Sequence, residues 1–410
     1  MSSPSVVDYI YEFVTSKSGS NSEDYVRVIA SALILISVTI YFQFNKVKKP
    51  TPTSSPIEKK GGFYPTEPYK PLEIKPVSST FQWDKDPPLK SYPFKNAEYK
   101  LTMGIKTLDP QDWLLIEPTY LDRVNTKTKL IHNSHESYPK DKDIRASTLF
   151  MTEEAVPATR ELYNLIINYM VDKYPMYFKK VDNHQIHNLI TDKFLPQTSE
   201  GVDPEKCLEY LVKNIEEDVI ILLKDPTREH EKDGSEYFFK AGIFAFAAGF
   251  DPADRFNKPL SYVHHPIPGY EEKLKLSMNR GFNRLAPGQF ITRNNFSIQS
   301  HDLFYVDDRN KGHNRPVDFV PTPLKVDDLD FDNQVHYRSE RQCLTKLPES
   351  GAIIFTIRTY LLPLSQVKHE STEVRERLIG AIKGLPEDIA KYKNAVEWGP
   401  AVLEYLQRDD

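Results

Sequence analysis

The chain has 410 residues, with 53 basic residues against 58 acidic ones and a formal net charge of −5. This balance, with no basic run beyond the lysines at 46–49 and 59–60, argues against a nucleic-acid partner. The two cysteines, Cys207 and Cys343, lack the spacing of a zinc, iron–sulfur or disulfide framework. The length allows one large or two ordinary domains with tails.

The N-terminal part of the chain has the pattern of a membrane anchor. Residues 1–24 form a polar tail, and residues 25–44 predict one transmembrane helix. The uncharged run at residues 28–42 is nearly as long as the roughly 17 residues that a spanning helix needs. Acidic residues precede this stretch and lysines follow it, so the positive-inside rule places the C-terminal domain in the cytosol. A buried core helix is the alternative interpretation.

The composition changes after this stretch. Residues 45–95 are rich in Pro, Ser, Thr and Lys and predict a disordered linker. A folded domain is expected over residues 96–400, with residues 401–410 as a tail. The C-terminal helices are expected near residues 372–383, 386–394 and 400–407.

Five stretches of the folded domain favour β-strands. They are residues 218–224, 237–247, 289–298, 335–345 and 351–362. Helical patterns fall between the second and third stretches. A PAS-type domain has two strands, then helices, then three strands. Because the predicted elements follow this order, we predict an α+β fold. Its centre would be a PAS-like antiparallel five-stranded sheet with a helical insert and flanking helices.

The helical insert contains the most chemically suggestive residue, His264. The helix that carries it must end before Pro266, because a residue that precedes proline is pushed out of the helical region. The small residues of the strand at 237–247 leave room for a flat ligand next to it. A neutral imidazole facing an apolar cavity is suited to ligate haem iron. A structural histidine that only forms hydrogen bonds is the alternative.

The predicted fold places polar side chains of the sheet opposite His264. They are Arg293, Asn295, Arg338 and Arg341. A guanidinium at this position could pair with haem propionates or polarise a bound ligand. Structural salt bridges are the alternative interpretation of these arginines.

Several separated motifs, in this order, resemble the haem-dependent oxidative N-demethylase family. They are MGIKTLDPQDW at 103–113, VHHPIPG at 263–269, RNNFS at 293–297, RSERQ at 338–342 and FTIRTY at 355–360. The resemblance covers residues 97–395 and implies a PAS-like domain that holds haem b, with His264 as the axial ligand. It also implies demethylation of a small alkylamine, such as dimethylamine, with O₂. The electrons would come from a separate reductase, since no glycine-rich or cysteine signature of a reductase domain is present.

Acidic residues cluster at the start of the strand at 218–224. Glu217 and Asp218 are candidate catalytic residues, either as proton shuttles or as the group that holds a cationic amine. A solvated strand end is the alternative. The chain departs from the family pattern at Phe296, Cys343 and Gly281, and these departures concern the shape of the pocket.

Two other classes of function fit parts of the sequence. A non-catalytic haem or small-ligand sensor at a membrane is one, because a PAS-like fold does not fix function. A membrane-anchored glycosyltransferase is the other, suggested by the single span and by Asp328 and Asp330. The few cysteines and the Asn295-Phe-Ser297 glycosylation sequence within a predicted core strand oppose it.

Overall fold

The computed structural model describes residues 69–312 and 319–408. Within them the strands are β1 (Lys106–Leu108), β2 (Leu149–Met151), β3 (Phe178–Lys180), β4 (Gln185–Asn188), β5 (Lys193–Pro196), β6 (Asp218–Lys224), β7 (Tyr237–Ile243), β8 (Phe290–Gln299), β9 (His336–Lys346) and β10 (Ile353–Pro363). A central antiparallel sheet has the order β1-β8-β9-β10-β6-β7-β2, and a small second sheet has the order β3-β4-β5.

Helices surround the central sheet. They are α1 (Tyr120–Ile131), α2 (Val156–Lys173), α3 (Pro204–Val212), α4 (Leu260–His264), α5 (Tyr270–Lys273), α6 (Lys275–Arg284), α7 (Leu364–Glu370), α8 (Thr372–Lys383), α9 (Glu387–Tyr392) and α10 (Ala395–Gln407). Helices α4 to α6 form the insert between β7 and β8. The α+β class and the antiparallel sheet predicted from the sequence are thereby confirmed, with seven strands among the described residues of the sheet where five were predicted.

The five predicted strands correspond to β6 to β10, and they form the middle of the central sheet. The first and last of the five, β6 and β10, are neighbours at the centre. The hairpin of β9 and β10 pairs Lys346 with Ile353, and Gly351 in its turn has a φ of 67°. The edge strands β1 and β2 were not predicted, because three residues are too few for a periodic pattern.

The strand predicted over 237–247 ends at Ile243. Gly242 has a φ of 147°, and a Cβ at this position would lie 2.2 Å from the carbonyl oxygen of Val219. Only glycine allows this close approach of β7 to β6. The apolar residues that follow still pack in the core, but outside the sheet.

The two faces of the central sheet carry different hydrophobic clusters. Helices α1 to α3 cover one face, which we call the back face, and pack against Val219, Ile221 and Ile354. On the other face, Leu260 and Phe282 of the insert pack against residues of β6 to β10. A third cluster joins α7, α8 and α10 to the ends of β8 and β9.

Two predicted boundaries are corrected by the structure. Residues 69–95 of the predicted linker lie on the domain, where Phe94 is 2% exposed and the Val77 N–H donates to the Lys173 carbonyl at 2.9 Å. Aliphatic residues such as Leu72 and Ile74 and aromatic residues such as Trp83 pack this segment against the core. Residues 401–407 are not a tail, because α10 continues through Pro400 and buries Leu406.

The predicted transmembrane helix at 25–44 and residues 45–68 of the predicted linker lie outside the described residues. In the part of the chain that the structure describes, no helix combines the length and apolar character needed to cross a membrane. The membrane anchor stays a prediction from the sequence.

Candidate functional site

A cavity of about 250 Å³ lies between the insert and the face of the sheet opposite the back face. The strand pleat supplies this wall, because alternate residues of a strand point to the same face. The side chains that line it on the sheet are Ile220, Leu222, Phe239, Ile291, Arg293, Asn295, Glu340, Gln342, Leu344, Phe355 and Ile357. Register confirms that they share a face, since Arg293 pairs with Gln342 and Asn295 with Glu340.

Other parts of the chain complete the cavity. The insert contributes apolar side chains and His264, and the N-terminal segment contributes Tyr99 and Met103. The C-terminal helices contribute Tyr392 and Lys393. The cavity is therefore built from segments that are far apart in the sequence and mostly apolar in character.

His264 is the last residue of α4 and is held by local geometry. Its Nδ1 donates a hydrogen bond to the Leu260 carbonyl, 2.8 Å away, one turn earlier in the helix. Its ring stacks on Tyr270 with a centroid separation of 5.0 Å and an interplanar angle of 10°. These two contacts fix the direction of the imidazole before any ligand binds.

The electrostatics of the site keep His264 neutral. Burial lowers its pKa to about 4, and the positive charges of Arg293 and Arg255 act in the same direction. Because a carbonyl only accepts, the proton of the neutral ring is on Nδ1, and Nε2 keeps its lone pair. A neutral histidine with a fixed tautomer is the form that ligates a metal.

Arg293 and Asn295 lie across the cavity on β8, as predicted. Arg293 Nη1 donates to Gln342 Oε1 at 2.9 Å, while its buried Nε has no hydrogen-bond partner among the described residues. Asn295 Oδ1 accepts from Lys393 Nζ at 3.3 Å. Lys393 Nζ also donates to the Phe296 carbonyl at 2.7 Å.

Positive charge dominates the polar part of the cavity. The cationic residues that line it are Arg255, Arg293, Lys311 and Lys393. Glu340 is the one carboxylate that we find among its described lining residues. It is already engaged, since Arg338 Nε lies 3.3 Å from Oε1 and Gln342 Nε2 donates to Oε2 at 3.0 Å. Such a cavity is suited to an anionic ligand with a large apolar body.

The structure does not bring Arg338 or Arg341 to the cavity wall, which corrects the prediction for both. Arg338 donates to the carbonyls of Phe304 and Phe246 beyond the end of the cavity. Arg341 has the opposite parity on β9, so it points to the back face. There it donates to the carbonyls of Trp113 and Asp112. Both guanidiniums stabilise loops instead of lining the cavity.

Glu217 and Asp218 also lie away from the cavity, and the interpretation as a solvated strand end is wrong as well because both are buried. Glu217 Oε1 lies 3.0 Å from Arg358 Nη1. Asp218 Oδ2 accepts from the Phe246 N–H at 2.7 Å, and its Oδ1 lies 3.5 Å from Lys127 Nζ. These positions do not allow either carboxylate to contact a ligand in the cavity.

Of the two aspartates that suggested a glycosyltransferase, Asp330 has a local structural role. Asp330 caps a turn by accepting from the N–H groups of Asp332 and Asn333, at 2.9 and 3.0 Å. Asn295 lies in the cavity wall, where a glycan has no room. Neither observation supports a sugar-nucleotide site.

Sequence reasoning missed Lys311, Glu340 and Lys393. The parity of β9 could have identified Glu340, because it has the same parity as Gln342 within the strand. Nothing in the local sequence marks Lys393 as a cavity residue, since it follows a short amphipathic helix that is far from the strands of the cavity wall in the sequence. Only the packing of the C-terminal helices brings it to the cavity.

The chain matches a known protein family over residues 104–403, about three quarters of its length. The family is described as haem-dependent oxidative N-demethylase, alpha subunit-like. This match confirms the predicted family and haem as the predicted cofactor. The donor set fits that cofactor, because the cavity combines a neutral fixed histidine, apolar walls and an excess of cations.

Proposed function

This chain belongs to the family of haem-dependent oxidative N-demethylases, alpha subunit-like, and we propose that it demethylates a small alkylamine as a haem-dependent monooxygenase. When bound, the haem supplies the activation of O₂ for insertion of one oxygen atom into a C–H bond next to nitrogen. The balance is one N-methylamine, one O₂, two electrons and two protons, which give the shortened amine, formaldehyde and water. The hydroxylated methyl group leaves as formaldehyde when its C–N bond breaks and the nitrogen takes a proton.

The observation that carries this proposal is the geometry of His264. Its Nδ1 is bound to the Leu260 carbonyl and its ring is neutral, so Nε2 is free to ligate iron. The hydrogen bond to a carbonyl also raises the basicity of the ligating nitrogen. Because Pro266 and Pro268 follow directly, the backbone has few ways to reorient this ring.

The remaining wall residues exclude water and position the substrate. Side chains such as Ile220, Leu222 and Ile357 present hydrocarbon to the cavity. An apolar wall favours an amine in its neutral form over the ammonium ion, since burying an unpaired charge is costly. The neutral amine is also the form whose C–H bonds are most readily oxidised.

Several broader features of the function belong to the same proposal. The order of the five central strands, in which the first and last are neighbours, supports a PAS-like sheet. A separate reductase would supply the electrons. The N-terminal helix predicted at 25–44 would anchor the protein in a membrane as a single span, with the domain on the cytosolic side.

An absorption spectrum of the full-length protein with added haem tests the ligand. The wild type is expected to give a Soret band of histidine-ligated haem, and His264→Ala is expected to lose or shift it. His265→Ala is the matched control, because His265 is the next residue and is exposed. Equal spectra for both variants, or no band for the wild type, would contradict the proposal.

Turnover separates the enzyme from a haem or small-ligand sensor. The haem-loaded protein, supplied with a reductant, O₂ and a secondary or tertiary methylamine, is expected to release formaldehyde in proportion to amine consumed. A protein that binds haem and diatomic gases but forms no formaldehyde with any methylamine would be a sensor.

A further inference from the structure

The cations of the cavity form one group although they come from different elements. Arg293 is on β8, Lys393 follows α9, and Lys311 lies in the loop after β8. The positive charges of Lys311 and Arg293 both act on Lys393. Cations packed this closely in an apolar cavity repel one another, so the arrangement needs a compensating negative charge.

The carboxylate next to this group does not supply enough charge. The Glu340 carboxylate also forms an ion pair with Arg338, which lies outside the cavity lining. The charges of Arg338 and Lys311 outweigh the effect of burial and hold the pKa of Glu340 below its usual range. Glu340 therefore contributes one negative charge against the several cations around it.

The same group of cations has hydrogen-bond donors that the described part of the protein does not use. The buried Nε of Arg293 has no hydrogen-bond partner among the described residues, and the side chain is held by Gln342. Lys393 Nζ uses two acceptors, Asn295 Oδ1 and the Phe296 carbonyl, while an ammonium group has three protons to donate. A buried donor without an acceptor is costly, and an oxygen of a bound ligand would satisfy it.

We propose that Arg293, Lys311 and Lys393 form a carboxylate-binding subsite of the cavity, which holds the propionate groups of the bound porphyrin. The proposal rests on the proposed function, since it assigns the occupant to the haem cofactor. The subsite and His264 line one cavity, so the porphyrin would be held by an ion contact and by iron ligation independently.

The charges that face Lys393 determine how the subsite responds to pH. Burial, followed by repulsion from Lys311, lowers its pKa to about 7. Glu340 on β9 opposes this shift, and Arg293 on β8 adds to it. Tyr99 and Tyr392 also line the cavity. A bound carboxylate would favour the ammonium form, so binding is expected to take up a proton near pH 8.

The test measures porphyrin affinity in the full-length protein and does not use turnover. The probes are haem, metal-free protoporphyrin IX and protoporphyrin IX dimethyl ester, titrated by absorption and by quenching of tryptophan fluorescence. Protoporphyrin reports on the carboxylates without iron ligation, and the ester removes their charge. His264→Ala is expected to weaken haem binding but to leave protoporphyrin binding within about threefold of wild type.

Two variants remove the cations. Arg293→Met and Lys393→Met are each expected to weaken binding of haem and protoporphyrin by about 10- to 100-fold, while ester binding changes by less than about threefold. Lys391→Met is the matched control, because Lys391 is an exposed residue of α9 that pairs with Glu387. Arg293→Lys, which keeps the charge, is expected to recover part of the affinity, and this separates the charge from a packing defect.

The outcomes distinguish the proposal of a carboxylate subsite from the proposed haem function. If haem binds and the methionine variants weaken the acid and the ester equally, the carboxylate subsite is wrong while the haem function stands. Wild-type protein that binds no porphyrin overturns both. Variants that lose only acid binding support the subsite, and a free carboxylate such as acetate that binds as tightly as protoporphyrin would overturn the assignment to propionates.

Discussion

The two faces of the central sheet bury charge in opposite ways. On the back face, Arg358 contacts three carboxylates, with Nη2 at 2.6 Å from Glu117 and 2.5 Å from Glu216, and Nη1 at 3.0 Å from Glu217. On the cavity face, Arg293 and Lys393 have mainly neutral partners. The guanidinium on the back face is paired with carboxylates of the protein itself, and the cavity face is left with excess positive charge. Buried charge with internal partners stabilises the fold, and buried charge without them indicates a ligand.

The excess of negative charge on the back face has its own consequence. Burial raises the pKa of Glu216 to about 7, and the neighbouring carboxylates Glu217 and Glu117 add to this shift against the attraction of Arg358. Three carboxylates around one guanidinium are more stable when one holds a proton. The network therefore ties the segments that precede α1 and β6 to β10, and its groups lie outside the cavity lining.

The largest effect is expected from Arg358→Met, which leaves three carboxylates without their common cation. Breaking a buried ion pair from one side costs about 3–5 kcal/mol of unfolding free energy. Urea denaturation followed by circular dichroism measures it. Arg293→Met is the comparison on the cavity face and is expected to stay within about 1 kcal/mol of wild type without ligand. Equal losses in the two variants would show that the faces do not differ in this way.

The second prediction concerns the pH dependence of the unfolding free energy, and it tests whether the cavity face holds a buried lysine. The pKa of Lys393 is about 7 in the fold, against 10.5 for an ordinary lysine, so between these values the unfolded chain binds more protons. The unfolding free energy of haem-free wild type should therefore rise with pH above about 7, relative to Lys393→Met. The slope of this difference approaches about 1.4 kcal/mol per pH unit. A flat difference between pH 6.5 and 9 would place the lysine in contact with water.

A third prediction separates the predicted catalytic role of Glu217 from its structural one. Glu217→Gln keeps an acceptor for Arg358 but places an amide where a buried oxygen has no partner. We expect a loss of about 1–2 kcal/mol of unfolding free energy and unchanged formaldehyde release per bound haem. A loss of turnover at normal stability and haem content would return Glu217 to the active site.

The smallest effect is expected from Gly281→Ala in α6. The added methyl would lie 3.2 Å from Cε of Met103, the flexible end of a side chain in the cavity wall. Met103 can move, so the gain in helix propensity should dominate and raise the unfolding free energy by about 0.5 kcal/mol. Gly104→Ala is the control of opposite sign, because the φ of Gly104 is +60° and a side chain there is strained. Loss of stability in Gly281→Ala would mean that Met103 is rigid.

Much of the site could be predicted because strands and short motifs carry local signals. The alternation of β8 marked Arg293 and Asn295 as neighbours on one face, and Pro266 fixed the end of the helix that carries His264. Arg338 and Arg341 were assigned to the same wall although their parity within β9 differs, and alternation along the strand alone separates them. Glu217 and Asp218 were candidates for catalysis because the sequence does not show that Arg358 and Lys127 bind them.

By itself, the sequence determined the family, the cofactor, the five central strands and the position of His264, because each is carried by short contiguous motifs or strands whose pattern is visible without the contacts between them. The tertiary structure decided which charges are neutralised and which face a ligand. That outcome depends on contacts such as that of Lys393 with Asn295, 98 residues apart. It also placed residues 69–95 and 401–407 in the folded domain, because a few apolar side chains that pack against the core can order a segment whose composition resembles a linker.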